Sequence, residues 1–551
     1  MLLSRFTERP VSLAGAVLCT LCVAYFYLLD HFLFSSSHFS PIFRLLLTRY
    51  DVKAAWLALA ICSLAAVWNR PAPILQLVNF MAQHPFGVAV ASTAMLGLGA
   101  IVVYHDYPLS MDEYAAVFQS KIFAAGSLVA HVPPTLVDWL IVRGFNGSFL
   151  VASSGKVMGA YWPGFALLLA PFQFLKVPWL CNASLSGLAI FLIQWITREI
   201  TGDRHAAGWA MLFALASGAF AADGLSYYSM QAHLTANLLF VALLIRPSGY
   251  RALGAGLVGS LALILHNPVP HALFVIPWIA AMAMQRDQRR YLLPLILGYL
   301  PGALMGFLWL MLRSEIALRG HDLAAINAVG SGVFAWPDAS LLNSRAAALV
   351  KMCVWAFPCL FVFALLGYTR RRADLRVRLL VWSAMLTFVA YLFVRFDQGH
   401  GWGYRYFHSA WGVVPILAGC AMTDKSLANL RLVSFAGASA ILSLLLIVPF
   451  QMSQIERFIS EHLAQLGPPS RPGSNVYFVH PQGGFYVADM IQFDPLLRQR
   501  DLLLVSHGSE LDAQLIQRNW PNAAKVASGP AADQWYLGDL PIPFLPSAAD
   551  R

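Results

Sequence analysis

Long apolar runs recur along most of the chain before residue 450. A helix that crosses the hydrocarbon core of a bilayer needs about 20 mostly apolar residues. Runs of this kind predict about thirteen membrane-spanning helices, and therefore an all-α polytopic membrane protein. They begin near Val11, Ala54, Phe86, Pro178, Ala206, Met230, Leu253, Val269, Leu292, Ala346, Leu379, Ser409 and Leu432.

The pattern changes after residue 450, where the apolar runs become short. NVYFVH, from Asn475, and DLLLVSH, from Asp501, have the length and composition of strands, and a helical pattern covers Glu510 to Arg518. The tail therefore predicts a small α/β domain of about 100 residues. The whole pattern predicts four segments: N-terminal spans (1–104), a first loop with juxtamembrane helices (105–177), a helix bundle (178–450) and the α/β domain (451–551).

Composition agrees with a membrane protein, because 58% of the residues are hydrophobic and only 12% are charged. All seven cysteines fall in or beside apolar runs, where a small thiol packs like alanine. We therefore expect no disulfide framework and no thiolate metal site. The formal net charge of +10 could indicate nucleic-acid binding, but the basic residues cluster in short gaps between apolar runs. This arrangement indicates membrane topology and no nucleic-acid partner.

The positive-inside rule orients the chain with Arg5 and Arg9 in the cytoplasm. If each span crosses once, the basic residues of alternate gaps lie on that side: Arg70; Arg198 and Arg204; Arg246 and Arg251; Arg286, Arg289 and Arg290; Arg370, Arg371, Arg372, Arg376 and Arg378; Lys425 and Arg431. The first gap, with Arg44, Arg49 and Lys53, is the exception. Residues 105–177, residues 313–345 and the tail then lie outside, which in a bacterial inner membrane is the periplasm.

An acidic pair opens the first outer loop. Asp112 and Glu113 begin a segment with apolar residues at Ala115, Phe118 and Ile122, which predicts a helix lying at the membrane interface. Neighbouring helical positions point about 100° apart, so the two carboxylates cannot face one reacting atom. One can act while the other supports it. Acids in a first helical turn also complement the helix dipole, so a purely structural role is the alternative.

A second motif follows in the same loop, in GKVMGAYWPGFALLLAPFQFLK. Its apolar run after Pro163 is about a dozen residues, too short to cross a bilayer, and predicts a juxtamembrane or re-entrant helix. Lys156 precedes this helix, where a phosphate held at the interface would lie. The alternative is a surface lysine that extends its ammonium to water.

The order of these motifs resembles the GT-C superfamily of membrane glycosyltransferases, in its protein mannosyltransferase and aminoarabinose transferase branch. Two later segments agree, YYSMQAHLTANLLFV and GWGYRYFHSAWGVVPILAG, and the resemblance covers about residues 105–419. Two extra spans precede the acidic loop, and His266 stands where related chains often carry an arginine.

The resemblance implies an inverting glycosyltransferase that takes a sugar from a polyprenyl-phosphate donor, within the membrane lipid, and passes it to a protein, lipid or glycan acceptor outside. Asp112 is then the base, with Glu113 beside it as an orienting residue or a contact for a divalent metal. Lys156 and Arg405 are candidates for binding the donor phosphate. The candidates for substrate contact are Tyr161, His233, Trp402, Tyr404 and His408.

Each of these residues has a structural alternative. Arg405 also suits an interfacial anchor, and His233 could bond to a neighbouring helix. His266 and His271 flank a turn without an evident third ligand, so we expect packing there and assign no metal site.

Two other functions remain open from the sequence. An O-antigen polymerase or ligase also uses polyprenyl-linked sugars, although its main active loop usually comes late in the chain. A flippase or transporter of lipid-linked sugars would need polar groups within the spans and usually a repeat. Here we expect the ionisable residues at span ends, which argues against a proton-driven carrier.

Overall fold

The computed structural model describes residues 8–29, 39–319, 334–423, 429–468 and 473–538, and its architecture is mainly helical. Arg5, Lys425 and residues 320–333 of the second predicted outer loop lie outside these ranges. The helices before and after the first loop are Glu8–Leu28, Pro41–Val67, Pro71–Gln83, Pro85–Val102, Leu180–Thr201, Arg204–Leu215, Gly218–Leu225, Met230–Leu244, Gly249–Leu263, Val269–Met284, Leu292–Arg319, Ala339–Val354, Leu360–Arg371, Leu375–Tyr391, Val413–Cys420, Leu430–Leu442 and Val448–Leu463.

Six helices among the described residues are long and apolar enough to cross a bilayer, and a seventh results if Arg204–Leu215 and Gly218–Leu225, bent by 65°, form one span. The six are Pro10–Leu28, Pro41–Val67, Pro85–Val102, Leu180–Thr201, Arg286–Ala317 and Leu430–Leu466. The chain is an integral membrane protein, as predicted. The count of about thirteen spans is not confirmed, because several apolar runs form shorter helices such as Met230–Leu244.

The chain forms two compact units. The first, here called the helical unit, comprises residues 1–103, 179–304 and 332–454. The second, here called the mixed unit, comprises residues 104–178, 305–331 and 455–551 and contains all seven strands.

Small residues let helices of the helical unit approach closely. A Cβ atom on Gly256 would lie 2.2 Å from the carbonyl oxygen of Leu295, and one on Gly298 would lie 2.5 Å from that of Leu253. The helices that carry these glycines therefore pack backbone against backbone, which is the usual way for helices to associate where lipid removes the hydrophobic driving force.

The helical unit also contains a charge pair that the sequence pattern did not predict. Asp51 and Lys351 are both fully buried, and the Lys351 ammonium donates to Asp51 Oδ2 at 2.9 Å. The apolar run near Ala54 begins earlier than expected, at Pro41, so Asp51 lies well inside a helix and not in a gap. Asp51 is therefore an exception to the expectation that ionisable residues concentrate at span ends.

The first loop folds as the helix Met111–Ala124, a small sheet and the predicted short apolar helix Gly164–Phe174. The strands are β1 (Ala130–His131), β2 (Leu150–Ser153) and β3 (Lys156–Gly159), paired antiparallel in the order β1-β3-β2. The turn between β2 and β3 has two residues, Ser154 at φ 51° and Gly155 at φ 81°. Two successive positive φ values match the twist of a tight hairpin.

The tail forms the predicted α/β domain. The strand β4 (Ser474–Val479) pairs in parallel with β5 (Asp501–Val505), and the helix Ser509–Asn519 follows β5, as the pattern indicated. Two further strands, β6 (Ala524–Ser528) and β7 (Ala532–Gly538), complete a sheet of order β5-β4-β7-β6. The sequence did not predict β6, because this edge strand is largely exposed and lacks an apolar run.

The first loop and the tail share one hydrophobic core within the mixed unit. Phe118 and Leu140 of the loop belong to the same buried cluster as Phe478, Leu502 and Trp520 of the tail. The four-segment division assigns these residues to separate domains, so the packing of the loop depends on residues more than 300 positions away.

Candidate functional site

The helix Met111–Ala124 begins with a capping box. Ser110 is the N-cap residue, and its backbone N–H donates to Glu113 Oε2 at 3.2 Å. Glu113 is fully buried, so its carboxylate is engaged with the start of its own helix. This is the arrangement in which a Glu at the third helical position stabilises the first turn.

Asp112, one residue earlier, points to a different partner. The hydroxyl group of Tyr161 donates a hydrogen bond to Asp112 Oδ1, and both side chains are partly exposed. Tyr161 is itself held in place, because Trp309 Nε1 donates to its carbonyl oxygen at 2.8 Å and its ring meets Phe149 edge to face at 6.3 Å. The structure thus brings together two predicted site residues that lie 49 positions apart in sequence.

The mixed unit also contains an apolar groove of about 530 Å³, which is linked to the Asp112–Tyr161 pair through one residue. Trp309 connects the two features, since it lines the groove and also bonds to Tyr161. The groove is lined by Phe123, Gly126, Ser127, Leu128, Pro163, Leu167, Met305, Leu308, Trp309 and Leu312. Its apolar lining can accept a hydrocarbon chain.

Arg313 directly follows the last groove residue, and its guanidinium lies close enough to Tyr161 to interact with it electrostatically. In the sequence, Arg313 marks only the start of the second predicted outer loop. The sequence did contain a signal for Arg313, since it is a basic residue within an otherwise apolar helix. Such residues are rare unless they have a functional role.

Lys156 lies at the start of β3, where it is exposed and opposite His131 and Ser153 in the sheet. Its ammonium forms no hydrogen bond or ion pair with any residue in the described ranges. The ammonium is therefore available to a ligand, but the hairpin alone does not fix the direction in which the Lys156 side chain points.

The remaining predicted residues belong to the helical unit, where residues 397–406 form what we call the glycine loop. Gln398 organises this loop from inside: its side-chain amide donates to the carbonyl oxygens of Gly401 (3.3 Å) and Gly403 (2.9 Å), and its Oε1 accepts from the Arg405 N–H (3.1 Å). Both glycines have positive φ values, 112° and 63°, which favour a residue without a Cβ.

Arg405 extends from this loop into a buried aromatic environment. Its Nε donates to the carbonyl oxygen of Gln398 at 2.9 Å, and its guanidinium carbon lies 4.8 Å from the ring centroid of Tyr228 and 5.7 Å from that of Tyr406. These contacts fix the direction of a cation that is only 8% exposed.

His408 is enclosed by polar partners. Its Nδ1 lies 2.8 Å from Asp223 Oδ2 and its Nε2 lies 2.9 Å from Gln231 Oε1, and all three residues are buried. His233 is also fully buried, and neither of its ring nitrogens has a hydrogen-bond partner among the described residues. His408 is thus placed to maintain the fold, whereas His233 retains hydrogen-bonding capacity for a ligand.

Trp402 and Tyr404 are buried in the helical unit as well. The Trp402 ring lies 5.6 Å from that of Trp355, and the Tyr404 ring lies 6.2 Å from that of Tyr406. The predicted substrate contacts are therefore divided between the units: Tyr161 in the mixed unit, and His233, Trp402, Tyr404 and His408 in the helical unit.

The residues do not fit a divalent metal. No group of three or more His, Cys, Asp or Glu side chains within the described residues could hold an ion. Asp112 and Glu113 point to Tyr161 and Ser110 respectively, so the acidic pair does not offer a shared set of ligands.

Tyr107, which precedes the acidic helix, remains protonated. Burial raises the pKa of its hydroxyl group, and the negative charges of Asp489 and Glu113 raise the pKa further. Tyr107 can therefore donate a hydrogen bond near this end of the helix but cannot serve as a base at neutral pH.

Comparison with known proteins identifies the class of fold. No family model and no curated protein sequence matches the chain. Solved structures do match, and they show the fold of the chain.

The chain is similar to the crystal structure of ArnT from Cupriavidus metallidurans bound to undecaprenyl phosphate, with a TM-score of 0.53 and 13% identity over 81% of this chain and 97% of that one. The apo form of the same protein gives a TM-score of 0.47 at 12% identity, with the same coverage. At this identity the likeness establishes the fold, and the protein mannosyltransferase branch is not distinguished.

Proposed function

We propose that the protein is an inverting glycosyltransferase that moves a sugar from a polyprenyl-phosphate donor to an acceptor on the extracytoplasmic face of the membrane. One observation carries this proposal: a carboxylate, Asp112, accepts a hydrogen bond from Tyr161, whose carbonyl oxygen is bonded to Trp309 of an apolar groove. A polyprenyl-phosphate sugar has the matching shape, a hydrocarbon chain joined to an anionic head.

In the proposed step, an acceptor hydroxyl oxygen attacks the anomeric carbon of the donor sugar. The bond between that carbon and the phosphate oxygen breaks, and the polyprenyl phosphate leaves with the electron pair. Asp112 accepts the hydroxyl proton as the new glycosidic bond forms, with inversion at the anomeric carbon. Tyr161 orients the carboxylate throughout.

The leaving phosphate requires positive charge. Arg313 is one candidate, because it interacts electrostatically with Tyr161 and directly follows the groove residue Leu312 in sequence. Arg405, fixed between two tyrosine rings, and the exposed Lys156 are the other candidates. Arginine suits this role because its planar guanidinium can donate two parallel hydrogen bonds to one phosphate.

The donor class has support from the structural neighbour, which was crystallised with undecaprenyl phosphate. That likeness at low identity does not extend to the sugar, so transfer of a hexose or of a pentose such as aminoarabinose is left to experiment. We also propose that the protein lies in the bacterial inner membrane, with a cytoplasmic N-terminus and a periplasmic site, as the basic residues between the spans indicate.

The test uses the full-length protein in nanodiscs, a panel of polyprenyl-phosphate sugars with radiolabelled sugar, and membranes from cells that lack the gene as the source of acceptor. We expect wild-type protein to transfer label from one donor. Asp112→Asn should lower kcat by at least about a hundredfold, the usual contribution of a general base. Tyr161→Phe should lower kcat by about tenfold, since the carboxylate would lose its orientation.

Binding of undecaprenyl phosphate serves as the control, because Asp112→Asn should bind it as tightly as the wild type. Full turnover by Asp112→Asn would show that the base is misassigned. Movement of labelled lipid across sealed vesicles without any transfer would instead indicate a flippase.

A further inference from the structure

The helix Pro41–Val67 is joined to the start of the glycine loop. Ser40, the N-cap residue of this helix, donates its backbone N–H to Asp397 Oδ2 at 2.6 Å and its hydroxyl to Asp397 Oδ1 at 2.9 Å. Asp397 Oδ1 also accepts from the Gly399 N–H at 2.8 Å. One carboxylate therefore ties an N-terminal helix to the first turn of the loop that carries Arg405.

The helix Pro41–Val67 is also connected to the middle of the glycine loop, through the buried residue Trp355. Asp51 Oδ1 accepts from Trp355 Nε1 at 2.6 Å, while Asp51 Oδ2 accepts from Lys351. The ring of Trp355 packs against Trp402 of the glycine loop, with centroids 5.6 Å apart, and Tyr50 meets Trp402 edge to face at 6.1 Å. Trp402 is thus enclosed by residues whose positions depend on the helix Pro41–Val67.

Packing alone does not account for this arrangement. Removing two charges from water costs free energy, and replacing a buried ion pair by apolar residues is often neutral or stabilising. The Asp51–Lys351 pair instead fixes the orientation of a neighbouring side chain. Lys351 holds the Asp51 carboxylate in place, and this carboxylate accepts the hydrogen bond from the Trp355 indole N–H.

We propose that Ser40, Asp51 and Trp355 are positioning residues for the glycine loop, so that the helix Pro41–Val67 sets the direction of the Arg405 guanidinium. This inference rests on the proposed function, in which Arg405 is one of the candidates for binding the donor phosphate. Arg405 is only three residues from Trp402, and Gln398 transmits the loop geometry through its bonds to Gly401, Gly403 and the Arg405 N–H.

The test compares Trp355→Phe with Trp209→Phe in the full-length protein. Both tryptophans are fully buried in the helical unit, but the Trp209 indole N–H has no hydrogen-bond partner among the described residues. Hydrogen exchange of the loop amides reports the positioning, and the Kd for undecaprenyl phosphate reports its consequence without requiring turnover. Trp355→Phe should speed exchange across residues 398–406 by about tenfold and weaken the Kd by about fivefold, whereas Trp209→Phe should change each by less than about twofold.

A second pair of variants covers the case in which Trp355→Phe does not fold. Ser40→Ala removes the hydroxyl bond to Asp397 and should weaken the Kd by about threefold, while Ser40→Thr retains a hydroxyl and should restore it. The inference is overturned if Ser40→Ala and Ser40→Thr have the same Kd for undecaprenyl phosphate. It is also overturned if Trp355→Phe speeds hydrogen exchange in the loop but leaves that Kd unchanged. A different result would separate the two proposals: wild-type protein does not bind undecaprenyl phosphate, while Trp355→Phe still speeds hydrogen exchange in the loop. In that case the proposed function fails, and with it the part of the inference that concerns donor binding.

Discussion

Tyr114 and Phe493 are joined by two hydrogen bonds across 379 positions of sequence: the tyrosine hydroxyl donates to the Phe493 carbonyl oxygen at 2.6 Å and accepts from its N–H at 2.9 Å. Tyr114 follows Asp112 by two residues in the same helix. The tail of the chain therefore helps to fix the helix that presents the proposed base.

Tyr114→Phe should destabilise the mixed unit. The substitution keeps the ring but leaves the N–H and carbonyl group of Phe493 without their partner, which costs about 1–3 kcal/mol. Thermal unfolding would show a lower Tm, and hydrogen exchange would locate the change near residue 493. Tyr250→Phe is a matched control, because Tyr250 is 74% exposed, and its Tm should equal that of the wild type.

Arg313→Met should weaken donor binding. Loss of the guanidinium beside Tyr161 should raise the donor KM by about tenfold or more, which corresponds to about 1.4 kcal/mol for each factor of ten. Arg313→Lys, a point charge without the planar fork, should give an intermediate KM. Arg378→Met is the control, because it removes an arginine from a predicted cytoplasmic gap. If Arg378→Met raised the donor KM as much as Arg313→Met does, the effect of Arg313 would not be local.

Filling the groove should alter the preference for prenyl chain length. Leu308→Trp places a larger side chain in the groove, so undecaprenyl phosphate should lose affinity while a short prenyl phosphate, such as farnesyl phosphate, should not. The ratio of their two Kd values is the measurement. Leu300→Trp is the matched control, since Leu300 lies on the same helix, is 54% exposed against 55% for Leu308, and does not line this groove.

Stability of the tail should depend on acid pH through Asp533. Burial raises the pKa of this carboxyl group, but the hydrogen bonds from Lys525 (2.9 Å) and Ser528 and the charges of Lys525 and His480 together outweigh burial, and the pKa is lowered overall. The folded state therefore favours the ionised form, and this stabilisation is present above the ordinary Asp pKa and lost as the pH falls through the folded pKa.

Asp533→Asn should accordingly lower the free energy of unfolding at pH 7 by less than about 1 kcal/mol, because Lys525 is 38% exposed. The difference from wild type should shrink as the pH falls below the ordinary Asp pKa and disappear below the lowered folded pKa, where both chains are uncharged at this position. Thermal unfolding of the full chain at a series of pH values is the measurement, and a difference that persists at low pH would contradict a role for charge.

Part of the candidate site could be predicted from sequence. Asp112 and Tyr161 were both named, because an acidic pair and a Tyr-Trp-Pro-Gly motif are local patterns. Their hydrogen bond could not be predicted, since it depends on how the hairpin β2–β3 returns the chain toward the helix Met111–Ala124. The roles proposed for both residues stay predictions.

Other residues were missed because their significance arises only from distant partners. Asp51 belongs to a segment that the pattern assigned to a gap, and its partner Lys351 is 300 positions away. Arg313 resembles any basic residue near a span end until the groove and Tyr161 are seen beside it.

The sequence by itself determined that the chain is a helical membrane protein with a small α/β tail, because hydrophobic length and strand-like runs are properties of contiguous residues. It also indicated the GT-C type of fold through the order of its motifs. Only the tertiary structure decided which helices are long enough to span, that the first loop and the tail share a core, and which polar groups meet. Those features depend on where helices bend and on contacts between residues far apart in the chain, and neither is encoded in local hydrophobic periodicity.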